Sequence, residues 1–245
     1  MVYVSKSDQK EFVPYPLVTI ENEEDFFKTV EKLQPKEVVV DNYNFILKHQ
    51  RAFKKKFPHV KLSCFDDEYK EYACDEIINH NLGVNLKKYK DPKRVKLIPP
   101  LIREEFSKAK KRRYKKEGIL LSLGGSDAFG LSLLVLKRLK GKKICLYVTS
   151  QNAHLKKLQR YAFLHKEVSL HVNEEISEAM VRCRFGIITP STIAYEAIYM
   201  GLDFLAIAVA KNQQNLVQYL KKKRYKVLQK REIWKINSKR FLQHL

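Results

Sequence analysis

The chain has 245 residues, with 48 Lys and Arg against 27 Asp and Glu, for a net charge of +21. That length allows one large domain or two small ones with a real core. No apolar run approaches the roughly 18 to 20 residues of a membrane span, and the N-terminal stretch MVYVSKSDQKEF has neither the apolar region nor the cleavage site of a signal peptide. A cytoplasmic protein is expected.

Elements follow one another as alternating strands and helices. VYVS and PLVTI read as strands, and a helix follows through Asp25, Phe26, Phe27, Val30 and Leu33. EVVVD is the next strand, residues 44–57 a helix with Phe45, Ile46, Phe53 and Phe57 on its apolar face, and VKLSCF another strand. Alternation with near-continuous apolar strands predicts a parallel sheet covered on both faces. Residues 82–100 carry Gly83, Pro92, Pro99 and Pro100 and read as a surface stretch leaving the first domain, residues 1–100. Residues 101–117 read as a charged connector helix. From Gly118 the alternation is cleaner: ILLSL, KICLYVT, VSLHV, RFGIIT and DFLAIAVA are strands, with helices from Leu131, Leu155, Ile176, Ile193 and Leu216. Residues 118–230 thus form a Rossmann-like, doubly wound domain, and residues 231–245 a basic helical tail that Trp234 could anchor.

Six apolar runs end in polar loops: DNYN, FDDE, GGSD, VTSQN, TPST and AKNQQ. In a parallel sheet such loops gather at the carboxyl edge, where ligands bind. Gly124, Gly125, Ser126 and Asp127 can bring backbone amides to a phosphate at a helix start, or form a tight turn with Ser126 or Asp127 as a helix cap. Ser191 and Thr192, with Glu196 one turn on, repeat the choice. They are a capping box, or an anion site whose carboxylate holds a vicinal diol. Lys211, Asn212, Gln213 and Gln214 suit sugar hydroxyls and acetamido groups, or are simply a loop. Asp41, Asn42, Tyr43, Asp66 and Asp67 supply a base or cap helices. His49, His59, His154, His165 and His244 read as solvent-facing. Cys64, Cys74, Cys145 and Cys183 lack metal or disulfide spacing and read as core thiols. The basic runs at 48–56, 108–116 and 221–226 sit at helix ends, where the dipole favours them. A weak association with an anionic membrane surface fits them better than nucleic-acid binding, for which no zinc-finger or RNP signature is present.

As an ordered set, VVDNY, SCFDDE, LIREEF, LSLGGSD, NAHLKKLQ, TPSTIAYEA and AVAKNQ resemble the bacterial UDP-2,4-diacetamido-2,4,6-trideoxy-β-L-altropyranose hydrolases of pseudaminic acid biosynthesis over roughly residues 12–228. The resemblance implies a GT-B-like α/β fold of two Rossmann-like doubly wound domains facing a cleft. The implied activity is hydrolysis of a UDP-sugar by water attack at C1 with inversion, with no metal and no cofactor. It implies that Gly124, Gly125, Ser126, Asp127, Thr149, Asn152, Ser191 and Thr192 face the nucleotide, that Glu196 holds the ribose and that Gln213 binds substrate. Asn212 and Tyr43 match the family's active-site asparagine and tyrosine. The chain departs from the family at its start, where members have a strand and a GxGH loop whose histidine is the leading acid or base candidate. Here no glycine precedes Gly83, and the expectation is a misassigned or frameshifted start that leaves the first domain incomplete and the histidine absent. A related GT-B UDP-sugar transferase, or a basic nucleic-acid-binding protein, is the alternative.

Overall fold

Apolar runs too short for helices and flanked by polar turns become strands, and the helices between them force those strands to run parallel. A computed structural model describes residues 3–5 and 15–237. Within it the chain divides into two compact units: residues up to His80 together with Asn85–Ile98, and Asn81–Val84 together with the chain from Pro99.

In the first unit, β1 (Tyr3–Ser5) and β2 (Leu17–Thr19) form a parallel pair. Helix α1 (Glu23–Leu33) is capped by Asn22, whose side chain accepts from the Asp25 amide. It leads to β3 (Glu37–Val40), α2 (Leu47–Lys56), β4 (Lys61–Phe65), β5 (Glu76–Asn79) and β6 (Val95–Leu97). These last four strands make a parallel sheet in the order β3-β4-β5-β6. Phe26, Phe27, Phe45, Phe53 and Phe57 interlock beside it at centroid distances of 5.1 to 6.2 Å. Residues 82–100, read from sequence as an exit from the domain, instead include β6, preceded by one-turn 3-10 helices at Leu86–Lys88 and Pro92–Arg94.

In the second unit, α3 (Glu104–Lys110) occupies only the start of the stretch read as a connector, and it buries Phe106 and Ala109 in the core. Then come β7 (Ile119–Ser122), α4 (Leu131–Arg138), β8 (Ile144–Val148), α5 (Leu155–Leu164), β9 (Val168–Val172), α6 (Ser177–Arg182), β10 (Phe185–Ile188), α7 (Thr192–Met200), β11 (Phe204–Ala208), α8 (Gln214–Lys222) and β12 (Lys226–Gln229). All six strands are parallel, in the order β12-β11-β10-β7-β8-β9. Successive strands move outward from β7 to β9, then return to β10 and move the other way. The strand order therefore reverses between β7 and β10, the switch point where doubly wound sheets leave a ligand crevice. Leu121, Leu146, Ile187 and Leu205 fill one face of the sheet, and Leu120, Ile188, Phe204 and Ala206 the other.

The tail corrects one expectation. Lys230–Asn237 is a 3-10 segment whose Ile233 and Ile236 are buried and hold it to the second unit's core, while the Trp234 side chain is 62% exposed. The rest of the expected helical tail, residues 238–245, lies outside the described residues. The four cysteines are free thiols, Cys64, Cys74 and Cys183 buried and Cys145 half-buried, and the Cys74 thiol donates to the Glu76 carbonyl at 3.1 Å.

The turn after β7 depends on a close approach. A Cβ on Gly125 would stand 2.4 Å from Thr149 Cγ2 in the loop after β8, and the Thr149 amide donates to the Gly125 carbonyl at 3.0 Å. Thr149 is β-branched and cannot easily turn away. Gly125→Ala should therefore cost about 1–3 kcal/mol of overpacking strain, and Thr149→Ser, which deletes Cγ2, should recover much of that loss in the double variant. Urea denaturation in a double-mutant cycle measures the coupling, and strictly additive losses would contradict the contact.

Candidate functional site

Each of the six polar loops noted in the sequence follows the carboxyl end of a parallel strand, after β3 and β4 in the first unit and after β7, β8, β10 and β11 in the second. Within each unit they therefore share one edge.

In the second unit, the loops after β7 and β10 flank the switch point. Gly124 adopts φ +86°, a left-handed conformation that favours glycine, and Ser126 beyond it is exposed. Asp127 is buried at 4% exposure, and its two carboxylate oxygens accept from the amides of Leu131 at 2.9 Å and Ser132 at 2.8 Å. A carboxylate thus already sits on the N-terminus of α4, so a second anion gains little there.

The N-terminus of α7 is different. Ser191 occupies the cap position with extended backbone, yet its hydroxyl makes no bond to the helix amides and lies 3.0 Å from the Thr189 hydroxyl instead. Thr192 is exposed beside it. This end carries the positive pole of a nine-residue helix without a capping carboxylate. Glu196, one turn into α7, is 1% exposed and does not fold back as a capping-box glutamate. Its Oε1 and Oε2 accept from Arg103 Nε and Nη2 at 2.8 and 3.1 Å. The Arg103 guanidinium also meets Glu105 at 2.9 Å and lies 4.9 Å from the centre of the Phe106 ring. Its hydrogen bonds to Glu196 are the largest influence raising its pKa, so it stays cationic. The Glu196 carboxylate offers about four acceptor sites, of which the guanidinium takes two.

The flanking loops are more structural. Asn152 is buried, its Oδ1 accepting from the His154 amide at 2.8 Å, so it shapes the turn into α5, and its buried Nδ2 has no hydrogen-bond partner in the structure. Thr149 is half-buried against Gly125. Gln213 turns its Oε1 back onto the amides of Val209 and Ala210 at 2.8 and 3.1 Å, while Lys211 and Asn212 remain exposed.

In the first unit, the Tyr43 hydroxyl donates to Asp67 Oδ2 at 2.6 Å, and the Lys70 ammonium stands 5.3 Å from the Tyr43 ring centre. The bond to Asp67 is the main cause holding the phenol well above its ordinary pKa, so Tyr43 is a donor and not a phenolate. Asp66 is a buried structural carboxylate. It accepts from the amides of Glu68 and Tyr69 and from the hydroxyls of Tyr72 at 2.9 Å and Tyr89 at 2.5 Å. Directly after β5 stands His80, which the reading of the sequence did not single out. Neither was Arg103 given a role there, although its motif was noted. Among the described residues, no group of three or more His, Cys, Asp or Glu side chains could hold a metal ion.

No family model matches this sequence. The chain is 32% identical over 231 residues to the UDP-2,4-diacetamido-2,4,6-trideoxy-beta-L-altropyranose hydrolase of Campylobacter jejuni subsp. jejuni serotype O:2, covering 88% of this chain and 82% of that protein. Among solved structures it is similar to Os79 from O. sativa in complex with U2F and trichothecene, with TM-score 0.67 and 10% identity over 99% of this chain and 86% of that one. It is also similar to the spinosyn rhamnosyltransferase SpnG complexed with thymidine diphosphate, with TM-score 0.62 and 11% identity over 88% of this chain. The chain spans only 66% of the length of that transferase. At such low identity these likenesses carry the fold alone, which is GT-B-like, as the order of motifs indicated. The identity and coverage shared with the Campylobacter enzyme show that the chain belongs to the family of UDP-2,4-diacetamido-2,4,6-trideoxy-beta-L-altropyranose hydrolases.

Proposed function

We propose that this chain hydrolyses a UDP-linked diacetamido-trideoxy-L-altrose to the free sugar and UDP, in the cytoplasm, as a step of pseudaminic acid biosynthesis for flagellin glycosylation. The observation that carries the reading is the uncapped N-terminus of α7 at the switch point, with a buried carboxylate one turn inside it. A diphosphate is the ligand whose charge suits that helix end, where the Ser191 and Thr192 hydroxyls add donors. Glu196, lying one turn further on, is suited to accept the two ribose hydroxyls. Gly124, Gly125 and Ser126 supply the neighbouring wall, and Gly125 must lack a side chain to do so. Asp127 serves this wall indirectly, by fixing the turn on α4. Thr149 and Asn152 support it from the adjacent loop. Gln213 holds the loop that presents Asn212.

In the reaction, a water oxygen forms a bond to C1 on the face opposite the leaving group. The C1–O bond to the β-phosphate breaks with its electron pair, leaving with UDP, so the configuration at C1 inverts. The leaving oxygen belongs to a phosphate and needs no proton to depart. What it needs is the positive field of the helix end and of Arg103. Asn212 is the side chain assigned to the sugar in the second unit, and Tyr43, in the first, is a committed hydrogen-bond donor.

The two helix ends make a test with opposite signs. Ser191→Asp should cap α7 as Asp127 caps α4, adding about 0.5–2 kcal/mol of helix stability. The same change should weaken UDP binding by about tenfold or more, because a carboxylate then occupies the anion's place. Calorimetric titration with UDP beside a thermal melt reads both, and unaltered affinity would remove α7 from the site. For the reaction itself, the UDP-sugar incubated with the chain alone should yield free UDP and a sugar of inverted anomeric configuration by NMR. Release of UDP only when an acceptor sugar or lipid is added would instead identify a transferase.

A further inference from the structure

Glu196 is closed off in the nucleotide-free chain. Its side chain is 1% exposed, its helix neighbours Ala194, Tyr195 and Ala197 are buried, and both of its carboxylate oxygens are taken by one guanidinium. The Arg103 side chain that closes the pair is 54% exposed. Both residues belong to the second unit, so the pair is complete within it. Among the described residues, Arg103 supplies every side-chain hydrogen bond that Glu196 makes, directing Nε at Oε1 and Nη2 at Oε2 at 2.8 and 3.1 Å. A ribose also presents two neighbouring donors, its 2′ and 3′ hydroxyls, and a carboxylate can accept either pair through the same two oxygens. The guanidinium has other partners to keep if it leaves. Arg103 Nη1 meets Glu105 at 2.9 Å, and the guanidinium carbon lies 4.9 Å from the centre of the Phe106 ring.

Resting on the reading of Glu196 as the ribose carboxylate given above, we infer that Arg103 stands in for the ribose in the nucleotide-free chain. The 2′ and 3′ hydroxyls displace it from Glu196, and Arg103 thereby sets how sharply the site tells ribose from its deoxy analogues. Without Arg103 the buried carboxylate would have no side-chain donor, and its desolvation would destabilise the empty site. With Arg103 in place the empty site is already satisfied, and each hydroxyl bond gained is offset by a guanidinium bond lost. A nucleotide that lacks both hydroxyls disturbs nothing, because it leaves Arg103 on Glu196. The guanidinium therefore narrows the advantage of a ribonucleotide over its dideoxy analogue. A guanidinium that stayed on Glu196 and oriented it toward the ribose would act in the opposite sense, and its removal would shrink that advantage.

A thermodynamic cycle with one change in the ligand and one in the protein reads this directly. UDP and 2′,3′-dideoxy-UDP are titrated calorimetrically into the unaltered chain and into Arg103→Met, whose apolar side chain can still pack on Phe106. The ratio of UDP affinity to dideoxy-UDP affinity should be about tenfold or more larger in Arg103→Met, because only UDP then relieves the unpaired carboxylate. Arg103→Lys, which can make one of the two bonds, should widen the ratio less and in the same direction. A second measurement needs only the unaltered chain: the Arg103 Nε–H resonance, assigned by triple-resonance NMR, should be protected from water exchange in the free protein. Saturating UDP should expose it, and saturating dideoxy-UDP should leave it protected. A preference for UDP that is unchanged or smaller in the folded variants, or an Nε–H that stays protected with UDP bound, would overturn the inference and leave Glu196 as the ribose carboxylate. Equal affinities for the two ligands in every protein would take the ribose away from Glu196 as well, and an unaltered chain that binds no UDP would overturn the whole reading of the site.

Discussion

Everything at the second unit's ligand edge depends on the reversal of strand order between β7 and β10. Crossovers to either side of that point carry their helices apart, and no helix covers the gap above the two strands. The gap then takes its chemistry from what the two loops do with their helix ends. After β7 the chain spends a carboxylate, Asp127, to close the end of α4, and the loop becomes a rigid glycine wall pressed against Thr149. After β10 the hydroxyl of the N-cap Ser191 lies beside Thr189 instead, so the positive end of α7 stays open. One helix end is sealed and the next is left for an anion, within a single crevice.

The three buried carboxylates among the described residues make the same point. An ionised carboxylate taken out of water must be met by donors or it is strongly destabilising. Asp66 is met by backbone amides and two tyrosine hydroxyls, and Asp127 by the amides of a helix. Those partners are fixed by the backbone or by packing. Glu196 is met by the Arg103 guanidinium, whose side chain is 54% exposed. Of the three, only Glu196 holds a partner that a ligand could replace or recruit without unfolding a turn. Burial gives its carboxylate a strong demand for donors, and a side-chain partner that is half exposed makes that demand compatible with exchange.

The sequence disclosed the architecture wherever strands are buried on both faces. ILLSL, RFGIIT and FLAIA read as strands because their apolar runs are unbroken, as a covered parallel sheet requires. VKL and KVLQ did not, and they became β6 and β12, the outer strands of their sheets. Edge strands are short and carry lysines because unpaired backbone on an apolar edge invites aggregation, so the features that hide them from a search for apolar runs are the ones that suit their position. EIIN was missed for a different reason. Its Asn79 is buried and polar, donating to Tyr89, which in turn donates to Asp66, and a tertiary network of that kind leaves no periodic trace.

That missed strand is also why His80 was passed over. A histidine acquires meaning from the end of a strand, and without β5 it stood just ahead of the stretch, residues 82–100, that reads as an exit from the domain. The loops themselves were legible because their position follows from strand direction alone. Whether a residue in them caps a helix or faces a ligand was not, since Asp127 reaches the first α4 amides from three residues before the N-cap Gly130, while Ser191, itself the N-cap of α7, makes no such bond. Hydrogen bonds within each loop decide between those outcomes, Asp127 choosing the amides of its helix and Ser191 the Thr189 hydroxyl, so the polar residues mark the loop and its backbone path makes the choice.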